Sequence, residues 1–173
     1  MRVLLIDHGC RGVRGACAHP DADRLAAHGA VVILAEASNV FPQDAVRLSD
    51  EQLAVAREEA RHAVYRAVDE GNPDVILVLH AGAIADLAVE TGVPLVMHAA
   101  MADLEAAGEG IVRELVASSL GAADVVIADD TKTARALRHD EWVSQDVDLE
   151  IVPRADASKL VAACRRASDR RRG

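Results

Sequence analysis

The stretch Pro73–His80, PDVILVLH, decides the fold class, because an unbroken apolar run lies between an aspartate and a histidine. A short continuous apolar run of this kind is typical of a strand buried on both faces, as in a parallel sheet covered by helices. Two further runs have the same form, Val3–His8 (VLLIDH) and Val93–His98 (VPLVMH). Because the carboxyl ends of parallel strands line the ligand crevice, we expect the three terminal histidines to lie along one crevice.

Strand-like and helix-like segments alternate along the whole chain. The predicted strands are Arg2–Asp7, Ala30–Ala35, Asp74–Leu79, Pro94–His98, Asp124–Ala128 and Leu149–Val152. The predicted helices are Asp21–His28, Asp50–Glu70, Ile84–Thr91, Gly110–Leu120, Thr131–Arg138 and Ala157–Arg166. This rhythm predicts an α/β fold, a doubly wound parallel sheet of about six strands in a Rossmann- or flavodoxin-like three-layer sandwich. Right-handed crossovers give the strand order 2-1-3-4-5-6.

Length and charge limit the classes of function. The 173 residues suit one domain, which we place at 1–165, followed by a basic, frayed tail at 166–173. The formal net charge of −9 argues against binding nucleic acid or an anionic membrane surface. No run approaches the roughly 18 apolar residues of a membrane span. The sequence therefore predicts neither nucleic acid nor a membrane span among its partners.

The cysteines indicate the compartment. Cys10, Cys17 and Cys164 are an odd number without metal-ligand spacing, so a disulfide framework is not expected. A reducing cytoplasm follows as the expected location. Cys10 and Cys17 have no base partner in the sequence pattern, which argues against nucleophilic catalysis.

A glycine-rich loop, GCRGVRG at residues 9–15, follows the first predicted strand. Glycines let a backbone approach a phosphate, and Arg11 and Arg14 add positive charge. The spacing is neither the dinucleotide fingerprint nor a Walker A loop. Two interpretations stay open, an anion site at Gly9, Arg11 and Gly12 or a merely flexible loop.

Each strand-end histidine has an ordinary and a functional interpretation. One alone is most simply a hydrogen-bonded loop residue, whereas His8, His80 and His98 on one rim favour contact with a ligand. Small residues such as Gly82 after His80 would let that ligand approach. Zinc takes three or four converging ligands, and His98 would have to reach across a strand, so we predict no metal site. One of Asp103, Glu105 and Glu109 is a candidate base near His98, although solvated surface explains them as well.

Several motifs together resemble the N-terminal, acceptor-side domain of GT-B glycosyltransferases, in particular glycosyltransferase family four. That family's pattern runs PDVIHVH, GVPVV…H, ADxVIAxS and VIPNGVD. The matching segments here are Pro73–His80, Gly92–His98, Ala122–Asp129 and Glu150–Pro153, and the likeness extends from Met1 to about Leu160. The resemblance implies that Gly9, Arg11 and Gly12 approach the donor diphosphate. It also implies that His98 contacts the transferred sugar or its phosphate, while His8, His80 and Gly82 line the acceptor side.

The departures from the family shape the expected function. The family's donor-binding second domain has no counterpart here, and PNGVD is replaced by PRAD at residues 153–156. The chain is therefore interpreted as a stand-alone or split acceptor-side half of a nucleotide-sugar-dependent glycosyltransferase, a portion of a larger enzyme, or a domain that has abandoned transfer. An open half-site cannot exclude water, so we expect no transfer without a donor domain. The expected partners are a donor-binding domain or subunit, met by apolar surface near strands 5 and 6, a nucleotide-sugar, a small-molecule acceptor and a second copy of the chain, with no cofactor.

Two other classes remain open. A non-catalytic binding or assembly module is compatible with the same fold. The segment His8–Arg11, HGCR, is similar to the HGSR opening of small tetrapyrrole metal chelatases, although that family's second histidine motif has no clean equivalent here.

Overall fold

A computed structural model describes residues 1–6, 20–35, 45, 47–82, 84–153 and 156–171. Within these residues, strands and helices alternate as the sequence predicts. The strands are β1 (Arg2–Ile6), β2 (Val31–Leu34), β3 (Val75–Val78), β4 (Leu95–Ala99), β5 (Val125–Ala128) and β6 (Leu149–Ile151). The helices are α1 (Pro20–Ala27), α2 (Asp50–Gly71), α3 (Ala85–Glu90), α4 (Met101–Ala107), α5 (Ile111–Ala122), α6 (Thr131–His139) and α7 (Ala157–Arg170).

The six strands form one sheet in which every neighbouring pair is parallel. The strand order is β2-β1-β3-β4-β5-β6. Both the fold class and the order are thereby confirmed. The α4 helix was not predicted, because its seven residues directly follow β4 without a separate apolar period.

Successive residues of each strand enter two different cores, as the period of two in a strand requires. Leu4, Ile76 and Met97 face a core shared with helices α2 to α6. Val3 and Val75 face the opposite core, which is completed by α1 and α7. Helices thus cover both faces of the sheet. The last four residues of β1 and every residue of β3, β4 and β5 are buried.

The local sequence explains both ends of the long α2 helix. The Ser49 side chain accepts a hydrogen bond from the Gln52 backbone N–H at 3.2 Å. The Gln52 side chain accepts the Ser49 N–H at 3.0 Å, which completes a capping box. At the other end, Asn72 adopts the left-handed conformation with φ 43° and donates its N–H to Val68 O. Pro73 then prevents the helix from continuing.

Two aspartates fix the amino-terminal edge of the sheet. Asp74 Oδ2 accepts the Arg2 N–H at 2.8 Å, which ties the start of β3 to β1. Asp124 Oδ2 accepts the Leu95 N–H at 2.8 Å, which ties the start of β5 to β4. The aspartates of the PDV and ADV motifs therefore act at the edge opposite the strand-end histidines, and their role is structural.

The carboxyl-terminal arginines continue a helix, which corrects the expected frayed tail. Helix α7 extends to Arg170, and Ala167 within it is fully buried. Arg166 pairs with Glu150, and Arg170 lies 2.6 Å from Asp148. Arg171 Nε donates to Asp124 Oδ1 at 3.1 Å, and its Nη1 donates to Gly92 O at 2.8 Å. These bonds hold the basic segment against the amino-terminal edge of the sheet.

Large exposed apolar side chains concentrate away from the expected partner surface. Near strands 5 and 6, Ile151 is the exposed large hydrophobic residue within the described part of the chain. A larger group lies on β2 and α2, namely Val31, Leu34, Val55 and Tyr65. None of the helices in the described ranges is long and apolar enough to cross a membrane.

Candidate functional site at the carboxyl edge of the sheet

Two of the three predicted histidines lie at adjacent strand ends. His98 is the fourth residue of β4, and His80 follows β3 by two positions. His98 Nδ1 lies 3.1 Å from the carbonyl oxygen of Leu79, the residue just before His80. Because that carbonyl can only accept, His98 Nδ1 is the donor. This bond places both imidazoles at the carboxyl edge of the sheet.

His80 pairs with a carboxylate from the helix that follows β4. Its Nδ1 lies 3.0 Å from Asp103 Oδ1, and 19% of the His80 side chain is exposed against 8% of the Asp103 side chain. Asp103 Oδ2 also accepts the Ala100 N–H at 2.9 Å, in the first turn of α4. A carboxylate held by two bonds fixes the orientation of the imidazole. With Nδ1 as donor, the basic position of the neutral ring is Nε2.

His98 has a different environment, because its side chain is completely buried. Its Nε2 lies 2.9 Å from Asp129 Oδ1, whose side chain is 34% exposed. The two groups are close but poorly aligned, and Nε2 has no hydrogen-bond partner of good geometry within the described residues. A buried ring nitrogen without an aligned partner is costly, so this atom is poised to bond a better-placed oxygen.

The next residue, Asp130, caps helix α6. Its carboxylate accepts the Thr133 N–H at 2.7 Å at the start of α6. This backbone hydrogen bond is the main reason that the pKa of Asp130 is lowered from its ordinary value. Asp129 thus lies against His98, whereas Asp130 caps helix α6.

Gly82 lies beside His80 at the start of α3. The residue is buried, and its carbonyl oxygen accepts the Ala85 N–H at 3.1 Å. Gly82 therefore has two possible functions, the predicted contact with substrate and a local one in turning the chain from β3 into α3.

The remaining predicted site residues are His8, Gly9, Arg11 and Gly12. All of them fall in the segment 7–19, outside the described residues. Where the chain is described, no three His, Cys, Asp or Glu side chains converge as a metal site requires.

Two carboxylates of the site have partners that the sequence pattern does not reveal. Asp103, a candidate base near His98, contacts His80 instead, because the unpredicted α4 helix turns it toward β3. Asp129 contacts His98. The signal for Asp129 was its position immediately after β5, the neighbour of β4 in the sheet.

Comparison with known proteins gives a structural neighbour at low sequence identity. No protein-family model and no curated protein matches the chain. Among solved structures, a sucrose-phosphate synthase from Thermosynechococcus elongatus matches with a TM-score of 0.59 and 14% identity. The match covers 96% of this chain and 98% of that chain.

The chain shares its fold with this sucrose-phosphate synthase. Sucrose-phosphate synthase is a GT-B glycosyltransferase, and its matched chain has the same architecture over nearly its whole length. At this identity the likeness concerns the fold alone, so the roles of the histidines and carboxylates must be argued from their own chemistry.

Proposed function

We propose that this chain is the acceptor-side half of a nucleotide-sugar-dependent glycosyltransferase, of the family-four type, that requires a donor-binding domain or subunit. The observation that carries the proposal is the pair of imidazoles at adjacent strand ends, each beside a carboxylate. His80 with Asp103 and His98 with Asp129 stand at the edge where parallel α/β folds bind ligands. The glycosyltransferase-like fold supports the reaction class.

The chemistry of the two pairs suits hydroxyl groups. Carboxylates accept hydrogen bonds from sugar or polyol hydroxyls, whereas they repel phosphates. Asp129, with a third of its side chain exposed, is available to such a hydroxyl. The diphosphate of a donor must then be held by other groups. In our proposal these are Gly9, Arg11 and Gly12 together with the partner domain.

His80 is the group proposed to receive the acceptor proton. The acceptor oxygen would bond to the anomeric carbon as the bond from that carbon to the donor phosphate breaks. The hydroxyl proton would pass to Nε2 of His80, and the nucleoside diphosphate would leave with the bonding electrons. Asp103 would stabilise the resulting imidazolium, as a carboxylate does in a histidine–aspartate pair.

His98 is proposed to orient the transferred sugar, whose hydroxyl can donate to Nε2. Because the ring is buried and Nε2 lies against Asp129, a ligand oxygen reaches Nε2 only when the Asp129 carboxylate turns aside. The ligand would then supply the aligned hydrogen bond that Nε2 lacks.

The test is a side-chain NMR titration of the ¹⁵N-labelled chain with UDP, GDP, their sugars and simple polyols. We expect the imidazole signals of His80 and His98 to shift with weak affinity, in about the millimolar range, because an open half-site cannot exclude water. His62 and His139 provide internal controls, since 80% and 88% of their side chains are exposed on other helices.

Two results would contradict the proposal. One is the absence of any selective shift at His80 and His98, which would favour a non-catalytic assembly module. The other is micromolar or tighter nucleotide binding by the lone chain, which would contradict the need for a separate donor-binding domain.

A further inference from the structure

The outer edge of β2 presents backbone groups that no described strand pairs with. In the sheet, β2 is the terminal strand and pairs with β1 on one side. Val31 donates its N–H to Met1 O, and Ala35 donates its N–H to Leu5 O. Because strand residues alternate, the N–H and C=O groups of Val32 and Leu34 point to the other side. Among the described residues, that side of β2 carries no hydrogen bond to another element, so the strand is an open edge of the described sheet.

The sequence of β2 has none of the residues that usually prevent an edge strand from pairing with another strand. The strand reads VVIL, without proline or charge. Val31 is 58% exposed and Leu34 is 39% exposed. An apolar edge of this kind is a template for pairing with another strand.

Charges on the neighbouring helix indicate which strand would pair. Arg66 and Glu70 are exposed residues of α2 that share a groove with Ile33 and Leu34 of β2. Neither Arg66 nor Glu70 takes part in an ion pair with a described residue, although the same helix carries the paired Arg57 and Arg61. These two side chains have opposite charges and lie one helical turn apart. Two copies of the groove facing each other in antiparallel directions would therefore bring opposite charges together.

We propose that the β2 edge is the interface with a second copy of this chain. Two β2 strands would run antiparallel about a two-fold axis at Ile33, and Val32 of each strand would exchange N–H···O bonds with the partner's Leu34. The axis would pass between the two α2 helices near Ala67. It would set Arg66 against the partner's Glu70 and Glu70 against the partner's Arg66. The result is one continuous sheet through both copies.

This inference is separate from the proposed transfer function. None of its residues belongs to the histidine site, which lies at the ends of β3 and β4. If the chain does not dimerise, the ligand titration of His80 and His98 is unaffected. If that titration shows no binding, the test of the dimer is equally unaffected.

The test is sedimentation velocity of the full chain between about 1 µM and 1 mM, with charge variants of the groove. The wild-type chain is expected to dimerise in a concentration-dependent manner. Arg66→Glu places one like charge opposite the partner's Glu70 on each side of the axis and should weaken the dimer by at least about tenfold. The double variant Arg66→Glu with Glu70→Arg restores complementarity and should restore the dimer.

The matched control is Arg135→Glu, which makes the same change of charge on an exposed residue of α6. It should leave the dimer unchanged. Val31→Lys places a charge on the strand itself and should also weaken association. Three results would overturn the proposal. The first is a wild-type chain that stays monomeric to 1 mM, in which case the edge would be left to a different protein. The second is a dimer that Arg66→Glu leaves intact. The third is failure of the double variant to restore the dimer.

Discussion

His80 Nδ1 lies 3.0 Å from Asp103 Oδ1, a contact that joins residues 23 positions apart at the ends of β3 and β4. The two bonds of the Asp103 carboxylate, to His80 and to the Ala100 N–H, hold the imidazole and the start of α4 together. A histidine fixed in this way differs from one in a mobile loop, because its tautomer and its orientation are set before a ligand arrives.

Replacing Asp103 should therefore change the tautomer of His80. In wild type we expect the neutral ring to carry its proton on Nδ1, whereas Asp103→Asn should give a mixture of tautomers while retaining the helix cap. The ¹⁵N shifts of the imidazole measure this directly. Asp103→Ala should in addition lower the free energy of unfolding by about 1–3 kcal/mol, because two buried hydrogen bonds are lost. Unchanged ¹⁵N shifts of His80 in Asp103→Asn would argue against this role.

Replacing Asp129 should expose His98. The carboxylate covers Nε2 at 2.9 Å, so Asp129→Ala opens a path from solvent to a ring that is otherwise buried. We expect hydrogen–deuterium exchange at C2 of His98, followed by mass spectrometry, to accelerate in this variant. The exchange rate of His80 serves as the control and should stay the same. Equal rates for His98 in wild type and variant would show that Asp129 does not control access.

Two helical glycines should respond oppositely to alanine. A Cβ on Gly71 would lie 2.8 Å from Ile33 Cδ1 and 3.3 Å from its Cγ2, whereas a Cβ on Gly121 meets nothing within 4 Å. Gly121→Ala should raise the free energy of unfolding by about 0.5–1 kcal/mol through helix propensity. Gly71→Ala should lower it by about 1 kcal/mol, because Ile33 must shift.

Urea denaturation of both variants measures the difference, and Ile33→Val provides the check. This change removes Cδ1, the nearer of the two clashing atoms, so Gly71→Ala should be less harmful in the Ile33→Val background. An equal effect in both backgrounds would exclude the clash as the cause.

The carboxyl-terminal segment should stabilise the fold. Removing residues 166–173 deletes the buried Ala167 and the ion pairs of Arg166, Arg170 and Arg171, so we expect a loss of about 2 kcal/mol in unfolding free energy. Arg171→Ala alone should cost about 0.5 kcal/mol. Arg165→Ala, an exposed arginine of the same helix without an ion pair to a described residue, is the control for thermal or urea unfolding. A truncated chain as stable as the full one would mean that the segment frays in solution.

Cys164 should react only after the protein opens. Burial raises the pKa of its thiol from an ordinary value of 9.0 to about 12, so the reactive thiolate is scarce in the folded state at pH 8. In a chain with Cys10→Ser and Cys17→Ser, alkylation by iodoacetamide should follow the rate of unfolding and increase with urea. Rapid alkylation without denaturant would contradict this expectation.

The raised pKa of Cys164 also makes the free energy of unfolding depend on pH. The contribution of the neutral thiol to stability is fully present below about pH 9 and is lost as the pH rises toward 12, since the unfolded thiol ionises first.

Some of the fold could be predicted because its causes are local. Runs such as Val75–Leu79 are typical of strands buried on both faces, and their alternation with amphipathic segments predicts a parallel sheet with right-handed crossovers. The capping box at Ser49 is equally local, since it involves residues three positions apart. The short α4 helix escaped prediction because its stability comes from packing and from the Asp103 cap.

The strand order and the position of His80 and His98 at one edge could be predicted from the residues, since both follow from hydrophobic periodicity and the handedness of the crossovers. The pairing of each carboxylate with its imidazole emerged from the three-dimensional packing. Asp103 turns to His80 and Asp129 to His98 because hydrogen bonds between side chains depend on distances of a few ångströms. The same holds for the arginines of α7, whose partners Asp148, Glu150 and Asp124 become neighbours only when the helix packs against the sheet.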